Sequence, residues 1–370
     1  MTLNIHKCLG TAAMSLALCC ICACSHVKYH EPYGEESSAL SFNYMWPDNL
    51  DQDLLPSTTT ILMTRVKSQI EHYSLALDSQ GLSADAADES LMNVKNGSYL
   101  ITGYASVEDG EYHISGLDGF KESYLVNMKD LFVIIPELTQ SEIQELDVLD
   151  FNPGIAYIKD VSPLYFVRSN NDIVYGVPSS EGQNIKWEQL TTRMRFGINM
   201  NIEESVLVRS VKGVVSGLLT KAYVTSGYVS GEDTGKTCFE MTASGKDPVT
   251  GNSYYEGQIN SLGIIASSDP KYISGDGIFN IIIEAMIEGD EESLRVFNVT
   301  FNLKEMIDEM QILERVSSKE LFYRLRKFDC TFAMSNILNV TRDAVLSEAE
   351  GGLDVWIESD GTENGLNPEI

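Results

Sequence analysis

The sequence predicts an all-β protein with minor helices, built as two tandem β-sandwich domains, and three observations carry that expectation. Met194, Phe196, Ile198, Met200 and Ile202 are apolar, while Arg195, Gly197, Asn199 and Asn201 lie between them. Strict period-2 alternation marks a strand with one face in a core and one in water. Runs rich in Val, Ile, Thr, Tyr and Phe recur along the chain between short clusters of Gly, Pro, Asn and Asp, as in antiparallel sheets joined by turns. Helical spacing arises in only two short stretches, after Thr139 and after Asn302.

The chain has 370 residues, 43% hydrophobic, with 10 prolines, so it can bury cores of the size that two ordinary domains need. Its formal net charge of −28 speaks against nucleic acid or an anionic membrane surface as a direct partner and reads as solvation of the surface.

Residues 1–23 carry one charged side chain, Lys7, before an apolar run from Cys8 to Ala23. That run falls short of the ~20 residues a spanning helix needs and reads as a signal peptide. It ends Ile21-Cys22-Ala23-Cys24-Ser25. An aliphatic residue at −3 and a small one at −1 before cysteine resemble the bacterial lipobox, so Cys24 is the expected lipidation site. Cys19, Cys20 and Cys22 fit worse, because Leu18, Cys19 and Ile21 would stand at −1. The expected layout is signal peptide 1–23, tether 24–38, first domain 39–180, second domain 181–358 and frayed tail 359–370. Cys238 and Cys330 remain in the body, either as one disulfide or as two buried thiols.

Past the polar tether, the first strand is Leu40 to Trp46, with Leu40, Phe42, Tyr44 and Trp46 on one face. Thr58–Val66, Ile70–Leu77 and Gly97–Tyr104 follow as strands, with a loop over Ser79–Asp88. Glu111–Ile114, Tyr124–Met128 and Leu131–Ile135 continue the pattern. Thr139-Gln140-Ser141-Glu142 has the form of a capping box before Ile143, Leu146 and Leu149. Strands resume at Gly154–Ile158, Leu164–Val167 and Ile173–Tyr175, and the turn-rich Pro178–Gln183 marks the domain boundary. Beyond the alternating strand, Val206–Ser210 leads into Val211–Leu218, where Gly213 and Gly217 predict a bend, a bulge or close backbone approach. Lys221–Tyr228 is expected to return as a separate strand. Thr237–Thr242, Tyr254–Ile259, the nearly all-apolar and so central Ile278–Ile287, and Val296–Phe301 complete the main set. Asn302–Glu305 is expected to cap a helix bearing Met306, Ile307, Met310 and Leu313. Leu321–Phe328 and Leu353–Ile357 close the series.

Chemistry is sparse. Gly231–Thr237 imitates a phosphate loop, but Ser230 stands where the motif needs glycine, and the segment is expected between strands with no helix after it. Of five histidines, only His72 and His113 lie in the folded body, too few for a nucleophile–base pair with Cys238 or Cys330 except across domains; His26 and His30 sit in the tether without rigid support for a metal. Among 54 acidic residues, carboxylate pairs arise by chance. Gly289–Glu292 reads as a hairpin turn, and 360–364 lacks calcium-loop spacing. Trp46, Trp187 and Trp356 each fall in or beside a strand, as core residues do. No catalytic, metal or cofactor site is expected.

Cys24 after its leader, Phe42–Trp46, Gly97–Ile101, Met194–Ile202, Val211–Leu218, Gly257–Gly263 and Phe297–Thr300 together resemble the fimbrial subunit and anchor lipoproteins of Bacteroidetes-type bacteria. That resemblance spans roughly residues 24–357 and implies a fimbrillin-like Greek-key sandwich in each domain. It also implies no enzymatic activity, a lipid anchor in the outer membrane, and other fimbrial subunits as partners through β-strand addition. In that family an arginine-specific protease releases stalk subunits by cutting after the tether. Here the first arginine after the leader is Arg65, inside an expected strand. A surface glycan-binding lipoprotein is the rival reading and a hydrolase the third. An open groove would favour assembly, an exposed aromatic platform glycan, and a buried carboxylate pair in a cleft hydrolysis.

Overall fold

The structure is a computed structural model that describes residues 37–346 except 40–41, 49, 51, 66–71, 83–92, 96–97, 109–110, 118–130, 149–153, 168–172, 176–182, 225–228, 265–276, 304–312, 316–322 and 326–328. The leader with Cys24, most of the tether, Tyr124–Met128, most of the boundary turn and the strand expected at Leu353–Ile357 lie outside the described residues, as does 304–312 of the second expected helix.

The described chain is all-β, in stacked, mostly antiparallel sheets with two short helices. A six-stranded sheet runs in the order β13 (Glu188–Gln189), β10 (Leu164–Val167), β6 (Ser98–Ser106), β3 (Thr58–Arg65) and β4 (His72–Asp78), with β11 (Ile173–Tyr175) also on β6. Over it lies a two-stranded layer, β2 (Phe42–Met45) parallel to β12 (Gln183–Lys186). A seven-stranded sheet has the order β20 (Asp290–Asn302), β19 (Ile278–Ile287), β15 (Val206–Tyr223), β16 (Val229–Glu240) and β9 (Ala156–Tyr157). Strands β7 (His113–Ser115) and β8 (Phe132–Ile134) join this sheet at the far end of β15. Its facing sheet is β17 (Thr242–Lys246), β18 (Ser253–Ser261), β14 (Thr192–Ile202) and β23 (Asp329–Val340). Two small pairs complete the set: β1 (Ser37–Ala39) with β5 (Asn93–Lys95), and β21 (Leu313–Arg315) with β22 (Tyr323–Leu325).

The alternation of β14 is realised as read: Met194, Phe196, Ile198 and Met200 are buried in the large core, where Phe196 stacks on Phe332 at 5.1 Å. Ile278–Ile287 is central, between β15 and β20. The first helix, α1 (Gln140–Glu145), carries the full capping box: Thr139 accepts from the Glu142 amide, and Glu142 accepts from the Thr139 amide at 2.7 Å.

Three expectations are corrected. Val206–Tyr223 is one 18-residue strand, so Lys221 continues it and does not open a new one. Gly217, with φ +77°, takes up a register shift against β16 that lets the ladder go on. At Gly213 the reason for glycine is close approach, because a Cβ there would stand 2.4 Å from the Phe239 ring. Leu313, expected on a helix, opens β21. Gly231–Thr237 lies within β16 and not between strands.

Hydrogen bonding crosses residues 180–181 in both directions. Strands β12 and β13 pair back with β2 and β10, and β8 and β9 pair forward with β15 and β16. The largest core likewise mixes Leu62, Leu131 and Phe166 with Met194, Val215 and Phe279.

Candidate functional site

The feature with most scope for binding is the two-stranded layer over the first core. Alternation in β2 turns Phe42 and Tyr44 toward that core and leaves Asn43 and Met45 exposed. Chain continuity then brings Trp46 under the layer, and β12 delivers Trp187, whose amide donates to the Met45 carbonyl at 2.9 Å. The two indoles stack at 5.0 Å and 10°. Tyr44 meets Trp187 edge-on at 5.3 Å, and Tyr165 meets Trp46 at 5.4 Å. Such pairs hold geometry as well as area. Two of the polar tips are anchored, Trp46 Nε1 donating to the Ser79 carbonyl at 3.0 Å and the hydroxyls of Tyr44 and Thr59 lying 2.9 Å apart, whereas the buried Trp187 Nε1 has no hydrogen-bond partner among the described residues. Burial raises the Tyr44 phenol well above its ordinary value against the opposing Thr59 bond, and pushes Tyr165 up to about 12 against the opposing Arg193 charge.

Among the described residues, β2 pairs only with β12 and β12 only with β2. The layer therefore has two outer edges, whose backbone groups can pair with an incoming strand. Half-buried Tyr44, Trp46, Leu50, Tyr73 and Val107 border the same core. Parallel pairing of segments some 140 residues apart has no local signature, so the sequence showed β2 as a strand but not this layer. Strands β4, β20 and β23 are the other long edges; β17, exposed throughout and with a register shift, shields β18.

Arg65 closes β3, opposite Tyr99 of β6, while its neighbour Thr64 is opposite His72 of β4. The residue is 4% exposed.

A second feature is a cleft of about 900 Å³ at the corner where β16 passes into β17, lined by Asp160, Arg195, Glu240, Tyr254, Glu256 and Gln258 among others. Asp160 accepts from the Asn260 amide at 3.3 Å, and burial pushes its carboxyl up to about 6. Nearby Glu111 adds to that rise, but its own carboxylate is held by the Ser162 amide and hydroxyl. Asp160 and Glu111 thus have structural uses, each tying a loop to its neighbour. Among the described residues no group of three or more His, Cys, Asp or Glu is placed to hold a metal.

Trp187 is 1% exposed and Trp46 half-buried, so neither offers an open platform; Trp356 lies outside the described residues. His113 is exposed on β7. Cys238 is a free thiol, half-buried, and burial raises its pKa to about 11.

No family model matches the chain, and no curated protein matches it. Solved structures do. A "putative adhesin" from Bacteroides ovatus is 14% identical with a TM-score of 0.45, covering 75% of this chain and 86% of its own. The fimbrial anchor protein Mfa2 from Porphyromonas gingivalis is 12% identical with a TM-score of 0.39, covering 80% and 88%. "Putative polysaccharide binding proteins" from Bacteroides thetaiotaomicron are 13% identical with a TM-score of 0.40, covering 80% and 90%. Overlaps of this size leave its function to be argued from its own residues.

Proposed function

We propose that this protein is a non-enzymatic fimbrial anchor or minor subunit. It is held in the outer membrane by a lipid on Cys24 and takes part in fimbrial assembly and cell adhesion by pairing strands with other subunits. The observation that carries the reading is the two-stranded β2–β12 layer, whose outer edges lie over an aromatic core bordered by half-buried side chains. A strand laid beside it gains a backbone ladder and buries apolar surface in one step, which is what a reusable assembly joint requires. The division into domains 39–180 and 181–358 belongs to this proposal, with β12 and β13 reaching back across it.

The test is purification of native fimbriae through a tag on this chain, with identification of the peptides recovered. Fimbrial subunits are expected in stoichiometric amounts. Recovery of the chain alone from cells that display fimbriae would overturn the assignment.

A further inference from the structure

The cleft of about 900 Å³ at the β16–β17 corner has a floor that the alternation of β14 builds. Burying Met194, Phe196 and Ile198 turns Arg195, Gly197 and Asn199 to the opposite face. The pairings align Arg195 with Gln258 of β18 and Thr331 of β23 in one row. In the next row Gly197 is opposite Glu256, which is in turn opposite Thr242 of β17. Tyr254 starts one row further on, opposite Asn199, and leans back over Gly197. A Cβ at 197 would collide with the Tyr254 hydroxyl and stand 2.5 Å from its Cζ, so glycine is what lets this ring lie along the floor. Arg195, Thr242, Glu256 and Gln258 are exposed around the half-buried ring.

Charge and polarity together narrow the ligand. The carboxylates of Glu256, Glu240 and Asp160 oppose a bound anion. Arg195 stands in the floor row and the Lys212 amino group lies 3.9 Å from Glu240, so these carboxylates are partly offset and a cation gains little. A purely apolar ligand would desolvate the guanidinium, carboxylates and amide of the floor without giving them partners. What remains is a neutral molecule with many hydroxyls and one apolar face. Carboxylates accept from such hydroxyls, a guanidinium donates to them, and the Gln258 amide and the Thr242 and Thr331 hydroxyls do either. An aromatic ring lying along the floor takes the apolar face by stacking. We infer that this cleft binds a neutral oligosaccharide, with one pyranose ring stacked on Tyr254 and its hydroxyls bonded to Arg195, Glu256 and Gln258. Its volume falls in the ~300–1,000 Å³ range of small-molecule sites. The site uses no strand edge, so its failure would leave the proposed assembly joint untouched.

An array of neutral, sialylated and uronic-acid oligosaccharides probed with the full chain tests this, followed by calorimetry on the tightest ligand found. Saturable binding to neutral oligosaccharides is expected, with the acidic ones weaker. Tyr254→Ala should weaken that binding about tenfold and Gln258→Ala about fivefold. If Tyr254→Ala also lowers the melting midpoint, Gln258→Ala alone decides, because its side chain is exposed and its loss leaves the core intact. An array on which no neutral oligosaccharide binds overturns the inference, and so does a preference for the acidic ones. Affinity that survives either substitution overturns it as well. Trilysine bound more tightly than any of the sugars would do the same, since it would make the cleft a docking site for a basic peptide.

Discussion

At the scale of single residues, one glycine and one carboxylate carry measurable consequences. Gly217 holds φ +77° at a register shift in the middle of β15, a conformation that a β-branched residue adopts only with strain. Gly217→Val is expected to destabilise the fold by on the order of 1–3 kcal/mol in denaturant melts. Gly245→Ala, where a Cβ meets nothing within 4 Å, should leave the midpoint unchanged and serves as the control. Asp160 acts through protons. Its folded pKa of about 6 lies above the ordinary 3.8, mainly because burial disfavours the charge. Between those values the folded state keeps a proton that the unfolded chain releases, so stability falls as pH rises from about 4 to 6. Asp160→Asn keeps an acceptor for the Asn260 amide and removes the charge. It is expected to flatten that slope and to stabilise the protein at pH 7 by on the order of 1–2 kcal/mol. Melts at pH 4.5 and 7 that retain the native pH dependence in Asp160→Asn would locate the burden elsewhere.

At the scale of elements, α1 has only six residues and no buried side chain of its own, so its cap holds more of its stability than in a long helix. The Glu142 carboxyl is held down to about 2, first by the Thr139 amide and then by the Thr139 hydroxyl and Lys159. A folded pKa below the ordinary 4.5 means that the cap stabilises above about pH 4.5 and is lost as pH falls toward 2. Cys238 lies under this segment, so Thr139→Ala, a loss of about 1 kcal/mol, should speed alkylation of Cys238 by up to about fivefold at neutral pH, read on its peptide by mass spectrometry. An unchanged rate would mean the thiol is shielded by the sheet and not by the helix. The cap was legible in four consecutive residues because its chemistry is local. Strand β23 was not. Phe332, Met334, Leu338 and Val340 are buried, but register moves from Ile198–Met334 to Asn199–Ile337, and the polar Ser335-Asn336 between them breaks the period. The same limit hid the site: β2 was visible as a strand, whereas its parallel partner β12 and their position over Trp46 and Trp187 depend on contacts between distant segments.

At the scale of the whole molecule, the question is whether the chain keeps its lipid or loses it. A lipid on Cys24 would contribute ~0.8 kcal/mol per buried methylene, enough with two or three chains for stable anchoring. Cys24→Ala should therefore move the protein from the membrane fraction to the soluble one, and retention after a carbonate wash would remove the lipobox assignment. Release by an arginine-specific cut needs an accessible arginine between lipid and sandwich. From Ser25 to Thr64 there is none, and the first, Arg65, is 4% exposed at the end of a strand flanked by β4 and β6. A protease binds its substrate extended and must take the backbone out of that ladder, which requires opening the sheet along Met63–Arg65, where Met63 is fully buried and its neighbours pair on both sides. Cleavage there would also remove β1, β2 and the whole of β3 from the folded body, and with them the partner of β12 and the strand between β4 and β6. The expected mature form thus begins at lipidated Cys24 and retains the tether, as a terminal subunit does. Mass mapping of the N-terminal peptide from intact, fimbriated cells decides it. A mature form beginning at Val66 would make this chain a polymerising subunit, and the gap left by β3 between β4 and β6 would then await a replacement strand.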